Sequence, residues 1–313
     1  CNYLFMTTLF AIIMTSLVHL IPAPVSLEPG EGFFTLNNQT QLFLTREASM
    51  AGGAALYFSE TVKPSMGINP AFSKSRPLEN AILFSLDKTL PAEGYTLSVT
   101  NRFIEICAGD DAGFFYGVQT LLQLLPPYVY QPVYKPDQYT PSLTADIPGL
   151  TIKDYPAFEH RGMMLDVSRQ FYTVDYIKRF IDRMAVHKLN RFHWHLADDT
   201  GWRIEIKKYP FLTSKGAWRG PGEVLPTTYG HAGQRYGGYY TQEDIREIVA
   251  YAAARHVEII PEIDLPGHSK AAIASYPDIL CDLTGEVELS IQGVSNNVWC
   301  ASYEKNYQML EDI

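Results

Sequence analysis

The sequence predicts an α/β protein in which a small α/β domain precedes an incomplete (β/α)8 TIM barrel. In the second half of the chain, short apolar strands alternate with amphipathic helices, an order that is typical of parallel βαβ units. Polar residues follow the end of each of these strands, which is where barrel enzymes hold their functional groups. The segment with this pattern, 151–313, is shorter than the roughly 250 residues of a complete barrel. We therefore predict the N-terminal part of a barrel.

Three segments are predicted along the chain: a signal-peptide-like segment at 1–21, a non-catalytic α/β domain at 22–150 and the barrel segment at 151–313. The apolar run at 9–20 has the length of a signal-peptide core and is too short to span a membrane. The chain starts with Cys1 rather than Met, and no small-residue cleavage motif stands out. The apolar run predicts an exported protein, whether periplasmic, on the cell surface or secreted.

The first domain is predicted to contain a β-hairpin followed by a helix. Apolar residues alternate over 95–99 and again over 104–106, which predicts two paired strands. Asp110 and Asp111 are candidate N-caps for a helix whose apolar face runs over 114–125. The prolines spread over 132–148 predict a linker or a surface segment. No residue of this domain suggests chemistry.

The barrel segment is predicted to run in the order strand, helix, strand, long loop, helix and strand. These elements are predicted over 162–167, 177–184, 190–202, 207–240, 245–252 and 257–263. Thr241 and Asp244 have the spacing of a capping box, which indicates where the second helix begins. Strands separated by helices predict a parallel sheet.

The stretch 190–202 is the one around which the rest of the chain is organised. It alternates as a strand, with three apolar residues on one face and two histidines on the other. These are Phe192, Trp194 and Leu196, and His193 and His195. The strand ends in two adjacent carboxylates, Asp198 and Asp199, followed by a glycine turn.

Ionisable residues follow all three predicted strands. They are Asp166 and Arg169 after the first, Asp198 and Asp199 after the second, and Asp264 and His268 after the third. Arg169 presents a rigid fork of donors that suits two sugar hydroxyls or a carboxylate, and a salt bridge to Asp166 or Asp198 is the alternative. Asp198 is predicted to lie opposite His268 and to orient it, which is a known way to tune a proton donor.

Composition narrows the class of partner. The net charge of -9 and the pI near 5.4 argue against nucleic acid, because no basic stripe offsets the negative balance. Lysine and arginine are scattered, which argues against an anionic membrane surface. No Gly-x-Gly-x-x-Gly motif follows a strand, which weakens a dinucleotide cofactor. Aromatic residues make up 13% of the chain; most of them suit a large core, and some suit stacking on sugar rings.

Two features keep alternatives open. His193 and His195 have the spacing of metal ligands on one strand face, so a metal-dependent barrel hydrolase is one alternative, with Asp198 and His268 nearby. The same histidines also suit packed polar residues of a barrel interior. Separately, two cysteines at 281 and 300 flank a polar loop. In an exported protein these two cysteines can pair, and the sequence leaves the paired and the free state both open.

Five motifs in order resemble those of glycoside hydrolase family 20, the β-N-acetylhexosaminidases. They are His160-Arg161-Gly162, Leu165-Asp166-Val167-Ser168-Arg169, His193-Trp194-His195-Leu196 with Asp198-Asp199, Gly201-Trp202-Arg203, and Pro261-Glu262-Ile263-Asp264-Leu265-Pro266-Gly267-His268. The resemblance runs over about 155–277. The preceding segment, with Glu93-Gly94-Tyr95 and Gly113-Phe114-Phe115-Tyr116-Gly117, resembles the non-catalytic domain of that family.

The resemblance implies removal of terminal β-linked N-acetylglucosamine or N-acetylgalactosamine with retention, with the substrate's own 2-acetamido oxygen as nucleophile. It implies that Arg169 binds the outer hydroxyls of the sugar, and that Asp198 and His268 support the acid. Further candidates in the matching motifs are Asp166, His195, Asp199, Glu262 and Asp264. No cofactor and no metal is implied, the partner is a glycan that contains N-acetylhexosamine, and homodimerisation is left undetermined.

One departure from the family pattern matters. The family's acid is the Glu of an adjacent Asp-Glu pair, and no Asp in this chain is followed by Glu. We therefore expect the chain to be the N-terminal part of a longer hexosaminidase, and to be inactive by itself. Besides the metal-dependent hydrolase, the remaining alternative is a catalytically dead relative that binds sugar.

Overall fold

In the computed structural model, two compact units make up the chain. The residues described are 18–130, 144–229, 233–281 and 296–313. The first unit extends to Glu159 and includes Val186–Lys188, and the second comprises His160–Ala185 and Leu189–Ile313. Residues 1–17, which hold most of the predicted signal-peptide-like segment, lie outside the described residues.

The first unit is built on a seven-stranded mixed sheet in the order β1-β7-β5-β6-β4-β2-β3. Its strands are β1 (Ser26–Asn37), β2 (Gln41–Leu44), β3 (Ala71–Phe72), β4 (Ala81–Leu86), β5 (Tyr95–Val99), β6 (Phe103–Ala108) and β7 (Thr144–Asp154), and its helices are α1 (Gly52–Met66) and α2 (Asp111–Gln123). The antiparallel pairing of β5 with β6 confirms the predicted hairpin. The Asp110 side chain accepts a hydrogen bond from the Gly113 backbone N–H at 2.8 Å, which confirms the predicted helix cap.

The prediction of a linker over 132–148 is wrong at its C-terminal end. Residues from Thr144 belong to the long strand β7, while 131–143 lie outside the described residues. Pro148 is tolerated in this strand because it pairs with Phe33, beside an irregularity in the register of β1. Proline lacks a backbone N–H and is found in sheets at such irregular positions. Residue 150 therefore falls within a strand, and the change of unit comes at Glu159.

The first unit contains a buried charged network at the end of β7. The Lys188 Nζ atom donates to Asp154 Oδ2 at 2.7 Å and to the Tyr95 hydroxyl at 2.8 Å. The Tyr95 hydroxyl in turn lies 3.0 Å from Asp154 Oδ2 and 2.5 Å from Thr120 Oγ1. Burial, and then the charge of Asp154, raise the pKa of Tyr95 well above its usual value, so Tyr95 is a neutral donor in this network.

The second unit contains the parallel strands that were predicted. Its elements are β8 (Gly162–Asp166), α3 (Val174–Val186), β9 (Arg191–Asp198), β10 (Gly201–Trp202), α4 (Phe211–Ser214), β11 (Trp218–Arg219), β12 (Tyr236–Gly237), α5 (Gln242–Ala253), β13 (Glu258–Ile263), α6 (Lys270–Ser275) and α7 (Glu304–Asp312). Strand β9 lies between β8 and β13 and is parallel to both, and β10 pairs antiparallel with its end. This βαβ arrangement is consistent with part of a TIM barrel. The long loop predicted over 207–240 contains the short elements α4, β11 and β12.

The central strand buries one face completely, as its alternation predicts. Phe192, Trp194 and Leu196 belong to a core cluster that also takes in Ile181 of α3 and Ile248 of α5. Helix α5 begins with the predicted capping box, in which Thr241 and Asp244 exchange hydrogen bonds. The apolar face fixes the rotation of β9, and this rotation presents the alternate residues to the site described below. Among the helices that the structure describes, none combines the length and apolar composition needed to cross a bilayer.

Candidate active site

Three neighbouring parallel strands bring the predicted polar residues into one row. Asp166 of β8 and Glu262 of β13 are both register partners of His195, which lies on β9 between them. Because carboxyl ends of parallel strands share one edge of a sheet, the residues that follow each strand meet at that edge. The loops after β8, β9 and β13 therefore supply a connected group of charged side chains.

Arg169 is held between two carboxylates. The Asp166 side chain accepts from the Arg169 backbone N–H at 3.0 Å, and its other oxygen lies 2.8 Å from Arg169 Nη1. The second guanidinium nitrogen, Nη2, lies 2.7 Å from Asp198 Oδ2. Burial alone lowers the pKa of Arg169, but the two carboxylates outweigh it and raise that pKa. Both ion pairs considered from the sequence are present, and the arginine side chain still keeps 34% of its surface exposed.

Asp198 is the buried centre of the group, with its side chain only 2% exposed. Besides Arg169, its carboxylate contacts His195 Nε2 at 3.0 Å, the Asp199 backbone N–H at 2.6 Å and His268 Nδ1 at 3.2 Å. Burial alone raises the pKa of Asp198, but these donors and positive charges outweigh it and lower the pKa. Asp198 is therefore a buried carboxylate that stays ionised because every side of it meets a donor.

Glu262 links the two histidines of the central strand. Its Oε2 atom lies 2.6 Å from His195 Nδ1 and 2.5 Å from His193 Nε2. Burial alone lowers the pKa of His195, but hydrogen bonds to Asp198 and Glu262 raise it to about 9. His195 is therefore an imidazolium at neutral pH, donating from one ring nitrogen to each carboxylate. Both histidines also hold the pKa of Glu262 below its usual value, against the opposing effect of burial.

His268 completes the group from the loop after β13. Its Nδ1 atom lies 3.2 Å from Asp198 Oδ1 and 3.5 Å from Asp199 Oδ2, and its side chain is 28% exposed. The backbone φ of His268 is +52°, in the left-handed region that residues other than glycine rarely adopt. This loop therefore holds the imidazole over the two carboxylates at a conformational cost, which is common at functional sites.

Asp199 and Asp264 lie beside these groups. The Asp199 carboxylate accepts from the Lys270 backbone N–H at 3.2 Å and from Asn297 Nδ2 at 3.3 Å, which ties the end of β9 to the start of α6. Asp264 lies near His195 and Glu262: one carboxylate oxygen of each acid and one ring nitrogen of the histidine all lie within 4.8 Å of one another. Neither Lys270 nor Asn297 was predicted from the sequence.

Two groups of side chains have the composition of a metal site. In the part of the chain that the structure describes, they are His195 with Glu262 and Asp264, and Asp198 with Asp199 and His268. Imidazole and carboxylate donors are ligands that zinc accepts. His193, which the sequence paired with His195 in the metal alternative, belongs to neither group and is hydrogen-bonded to Glu262. The absence of a resident metal stays a prediction.

Arg203 is a residue of the matching motifs whose role the sequence did not reveal. It is fully buried, and burial lowers its pKa to about 10. Its guanidinium donates to four backbone carbonyls, those of Val167 (3.0 Å), Ser168 (2.6 Å), Ala217 (2.6 Å) and Gly238 (3.0 Å). A Cβ at Gly201 would stand 2.2 Å from Arg203 Nη2, which explains the glycine two residues before it. Arg203 thus fixes the loop that leads from β8 to Arg169.

The cysteine pairing that the sequence left open is settled by a disulfide between Cys281 and Cys300, whose Cα atoms lie 4.7 Å apart. The bond joins the segment after α6 to the segment before α7. The intervening residues 282–295 lie outside the described residues.

Both units are similar to domains of known proteins. The model of the glycosyl hydrolase family 20 catalytic domain matches residues 158–313, and the model of domain 2 of that family matches residues 18–155. A beta-hexosaminidase of Porphyromonas gingivalis is 38% identical over 299 residues, which cover 95% of this chain and 36% of the relative. A beta-hexosaminidase of Vibrio furnissii is 39% identical, over 93% of this chain and 45% of the relative.

Solved structures are similar over nearly the same part of the chain. A GH20 exo beta-N-acetylglucosaminidase from Vibrio harveyi, in complex with N-acetylglucosamine, is 39% identical with a TM-score of 0.84, over 94% of this chain and 43% of that one. A GH20 beta-N-acetylhexosaminidase from Streptomyces coelicolor is 36% identical with a TM-score of 0.77, over 95% of this chain and 56% of that one. The chain thus spans between about a third and somewhat over half of the length of these relatives.

Proposed function

This chain belongs to glycosyl hydrolase family 20, and from that membership we propose that the protein it belongs to removes terminal, non-reducing β-linked N-acetylglucosamine or N-acetylgalactosamine from glycans. The observation that carries the proposal is the connected group of Arg169, Asp198 and His268 at the carboxyl ends of three parallel strands. Each corresponds in position to a residue with a role in the family resemblance drawn from the sequence. An exposed guanidinium beside a buried carboxylate also suits a ligand rich in hydroxyl groups.

The proposed reaction is substrate-assisted and retains the anomeric configuration. The 2-acetamido oxygen of the sugar attacks the anomeric carbon, and water later opens the resulting cyclic intermediate. In the family, an adjacent Asp-Glu pair assists: the aspartate steadies the acetamido nitrogen, and the glutamic acid protonates the leaving oxygen. The residues of this chain bind the sugar and support that acid.

Arg169 is proposed to bind the outer hydroxyls of the sugar. Two ion pairs fix the plane of its guanidinium before any ligand arrives, so little side-chain entropy is lost on binding. Asp198 supports this role because it anchors the guanidinium from the buried side. A preorganised donor is worth more to a transition state than one that must be ordered during the reaction.

Asp198 and His268 are proposed to support the glutamic acid. The Asp198 Oδ1 atom accepts from the Nδ1–H of His268, which fixes the ring and leaves Nε2 as the atom directed to another group. A positioned imidazole in contact with a carboxyl group tunes its proton affinity toward the value that general acid catalysis needs. His195 and Glu262 hold Asp198 from the opposite side.

The assay that tests this function uses the longer protein with 4-nitrophenyl N-acetyl-β-D-glucosaminide and the matching β-D-glucoside. We expect turnover of the first and none of the second, because the glucoside lacks the acetamido nucleophile. Fluorination of the acetyl group should lower kcat stepwise, since it weakens the carbonyl oxygen as a nucleophile. Equal rates for acetyl and trifluoroacetyl substrates would contradict the substrate-assisted mechanism, and no turnover of any hexosaminide would contradict the function.

We also propose that the 313 residues alone do not turn over substrate, because no Asp-Glu pair occurs among them. The same assay on this chain, beside the longer protein at equal concentration, tests the proposal. Turnover by the chain that disappears in its Arg169→Ala variant would overturn it.

Finally, we propose that the protein is exported. The apolar run near the N-terminus and the disulfide between Cys281 and Cys300 support export, since disulfides persist in oxidising compartments. Fractionation of the producing cells, with mass spectrometry of the mature N-terminus, tests this. A cytoplasmic protein that retains residues 1–21 and reacts at both cysteines with thiol reagents would contradict it.

A further inference from the structure

A second arginine lies near the candidate active site, and within the described part of the chain one side of its guanidinium has no hydrogen-bond partner. Arg219 of β11 is only 1% exposed. Its Nη1 atom lies 3.4 Å from the Thr200 carbonyl oxygen, whereas its Nε and Nη2 atoms have no hydrogen-bond partner among the described residues. Buried polar groups are nearly always hydrogen-bonded, so a buried guanidinium with two unpaired nitrogens can indicate a site for a ligand.

The two unpaired atoms form a recognisable binding geometry. The Nε–H and one Nη2–H of a guanidinium point the same way, side by side, and together receive two oxygens of a carboxylate, sulfate or phosphate. Arg203, in the same unit, is equally buried, but its guanidinium donates hydrogen bonds to four carbonyl oxygens. Burial alone therefore does not explain why Arg219 lacks acceptors.

The charge of Arg219 is also not balanced by an acid. Over the residues that the structure describes, no carboxylate lies within 4.0 Å of its guanidinium, and its neighbours are the rings of Tyr236 and Tyr229. The guanidinium carbon lies 4.6 Å from the Tyr236 ring centre and 5.5 Å from that of Tyr229. Cation–π contacts offset part of the cost of burying a charge, but they supply no oxygen acceptor for the N–H groups of the guanidinium.

Two hydroxyl groups in the adjoining loops share the same lack of partners. The Oγ1 atoms of Thr200 and Thr228 are buried and make no hydrogen bond to any residue that the structure describes. Thr200 directly follows Asp199 and carries the carbonyl that Arg219 contacts. Thr228 directly precedes Tyr229, the ring that lies over the guanidinium. Polar groups without acceptors thus concentrate in the segments that adjoin Arg219.

We propose that the Nε–Nη2 edge of Arg219 binds an oxyanion, that is a sulfate, phosphate or carboxylate group, with the hydroxyls of Thr200 and Thr228 as further donors. The anion reaches this edge by displacing Tyr229, which can move because it is 61% exposed. The contact of Arg219 with the carbonyl of Thr200, the residue that follows Asp199, puts the oxyanion site next to the end of β9 and so near the proposed sugar site. The oxyanion comes either from solution or as a substituent of the glycan, and only the second source rests on the proposed function.

The direct test follows the Nε–H signals of arginine by NMR while sodium sulfate is added, with sodium chloride at equal ionic strength as the reference. Loss of one signal in Arg219→Lys assigns it, because lysine keeps the charge but removes the side-by-side donors. We expect sulfate to shift this signal saturably. The matched control is Arg235→Lys, since Arg235 lies on the same hairpin and is paired with Glu223 at the surface. This variant should keep the sulfate response.

Two further measurements keep the proposal open to refutation if Arg219→Lys does not fold. Thr228→Val keeps the arginine and should weaken sulfate binding severalfold. Tyr229→Ala removes the covering ring and should leave binding intact or strengthen it. A shift of the Arg219 signal that never saturates, or that chloride reproduces, overturns the proposal. So does sulfate affinity that is the same in the wild type and in the Thr228→Val and Arg219→Lys variants.

The source of the anion is distinguished by comparing N-acetylglucosamine with its 6-sulfate. Binding of the sulfated sugar at least about tenfold tighter than the plain sugar, with loss of that difference in Arg219→Lys, assigns the site to a glycan substituent. A saturable response to inorganic sulfate with no such difference assigns it to a free ion. The inorganic arm does not depend on hexosaminidase activity, so its result stands whether or not the proposed function holds.

Discussion

The two units each bury a charged cluster, and the clusters differ in how much of them stays open. In the first unit, Lys188 and Asp154 pair at 2.7 Å with side chains only 8% and 10% exposed, and Tyr95 bonds to both. In the second unit, Asp198 is more deeply buried, yet its partners Arg169 and His268 remain about one third exposed. In the first cluster (the closed cluster) all of these charged groups are buried. In the second (the open cluster) a buried aspartate holds two cationic side chains that are partly exposed to solvent.

This difference separates a structural network from a functional one. A closed network satisfies its donors and acceptors internally, so a substitution there mainly changes the stability of the fold. In the open cluster a buried anion fixes the orientation of cations that face solvent, which is the arrangement that binds a ligand or supports a reacting group. The two clusters are therefore natural controls for one another, because both centre on a buried aspartate paired with a cation.

The largest expected effect comes from Asp198→Asn. The amide keeps the shape but loses the charge that anchors Arg169 and orients His268, so both sugar binding and the support of the acid fail. We expect kcat/KM of the longer protein to fall by about 10³-fold, in the range found for removing a preorganised electrostatic group. Steady-state kinetics on the aryl hexosaminide check this, and a loss of less than about fivefold would remove Asp198 from the proposed mechanism.

Asp154→Asn is the matched change in the closed cluster. It leaves Lys188 as a buried cation without its anion, and breaking one partner of a buried pair costs about 3–5 kcal/mol. The free energy of unfolding, measured by urea denaturation of the first unit's transition, should fall by that amount. At a temperature where the variant stays folded, kcat/KM should remain within about twofold of the wild type. A selective loss of kcat/KM would show that the two clusters do not divide the roles of stability and function.

Arg169→Lys sharpens the comparison within the open cluster. Lysine keeps a positive charge near Asp198 but loses the planar fork that spans Asp166, Asp198 and the ligand. We expect KM for the hexosaminide to rise about 10- to 100-fold, equivalent to about 1–3 kcal/mol for a charged bidentate contact. Thermal unfolding should change little. An unchanged KM with a lower kcat would argue that Arg169 acts on the transition state rather than on binding the sugar.

How far the sequence predicts this molecule depends on whether the interaction is local. The alternation of β9 correctly predicted its buried face, and the motifs Thr241 to Asp244 and Asp110 correctly predicted helix starts, because these signals lie within a few residues. The three strands and their polar ends were also predicted, since βαβ order fixes which ends meet. The hydrogen-bond acceptors of Arg203 were not predicted, because they are backbone carbonyls of distant residues, which have no sequence signature.

The failures have the same physical origin. Pro148 was interpreted as part of a linker, because proline usually interrupts a strand, and the irregularity of β1 that accommodates it lies more than a hundred residues away. The bridge from Glu262 to both histidines requires the register of β13 against β9, which only the folded sheet defines. The sequence therefore left the two histidines open to a metal interpretation and did not reveal the carboxylate that they share.

The smallest expected effect concerns Glu262 and His195, on the side of the open cluster that lies along the strands. Glu262→Gln removes one of the three carboxylates, Asp198, Glu262 and Asp166, that raise the pKa of His195 to about 9, so this pKa should move down toward its ordinary value of 6.5. A histidine whose pKa is higher in the folded state than in the unfolded state stabilises the fold fully below pH 6.5, and that contribution is lost as the pH rises through about 9. In the variant the loss should begin and finish at lower pH.

The titration of His195 by NMR, with stability measured by urea denaturation between pH 6 and 10, checks this directly. His193→Gln is the control, because it removes a partner of Glu262 but leaves all three carboxylates around His195. It should move the His195 titration much less than Glu262→Gln does. If the two variants shift it equally, Glu262 acts through packing rather than charge. Asp198 and Asp166 would then be the carboxylates that hold His195 as an imidazolium.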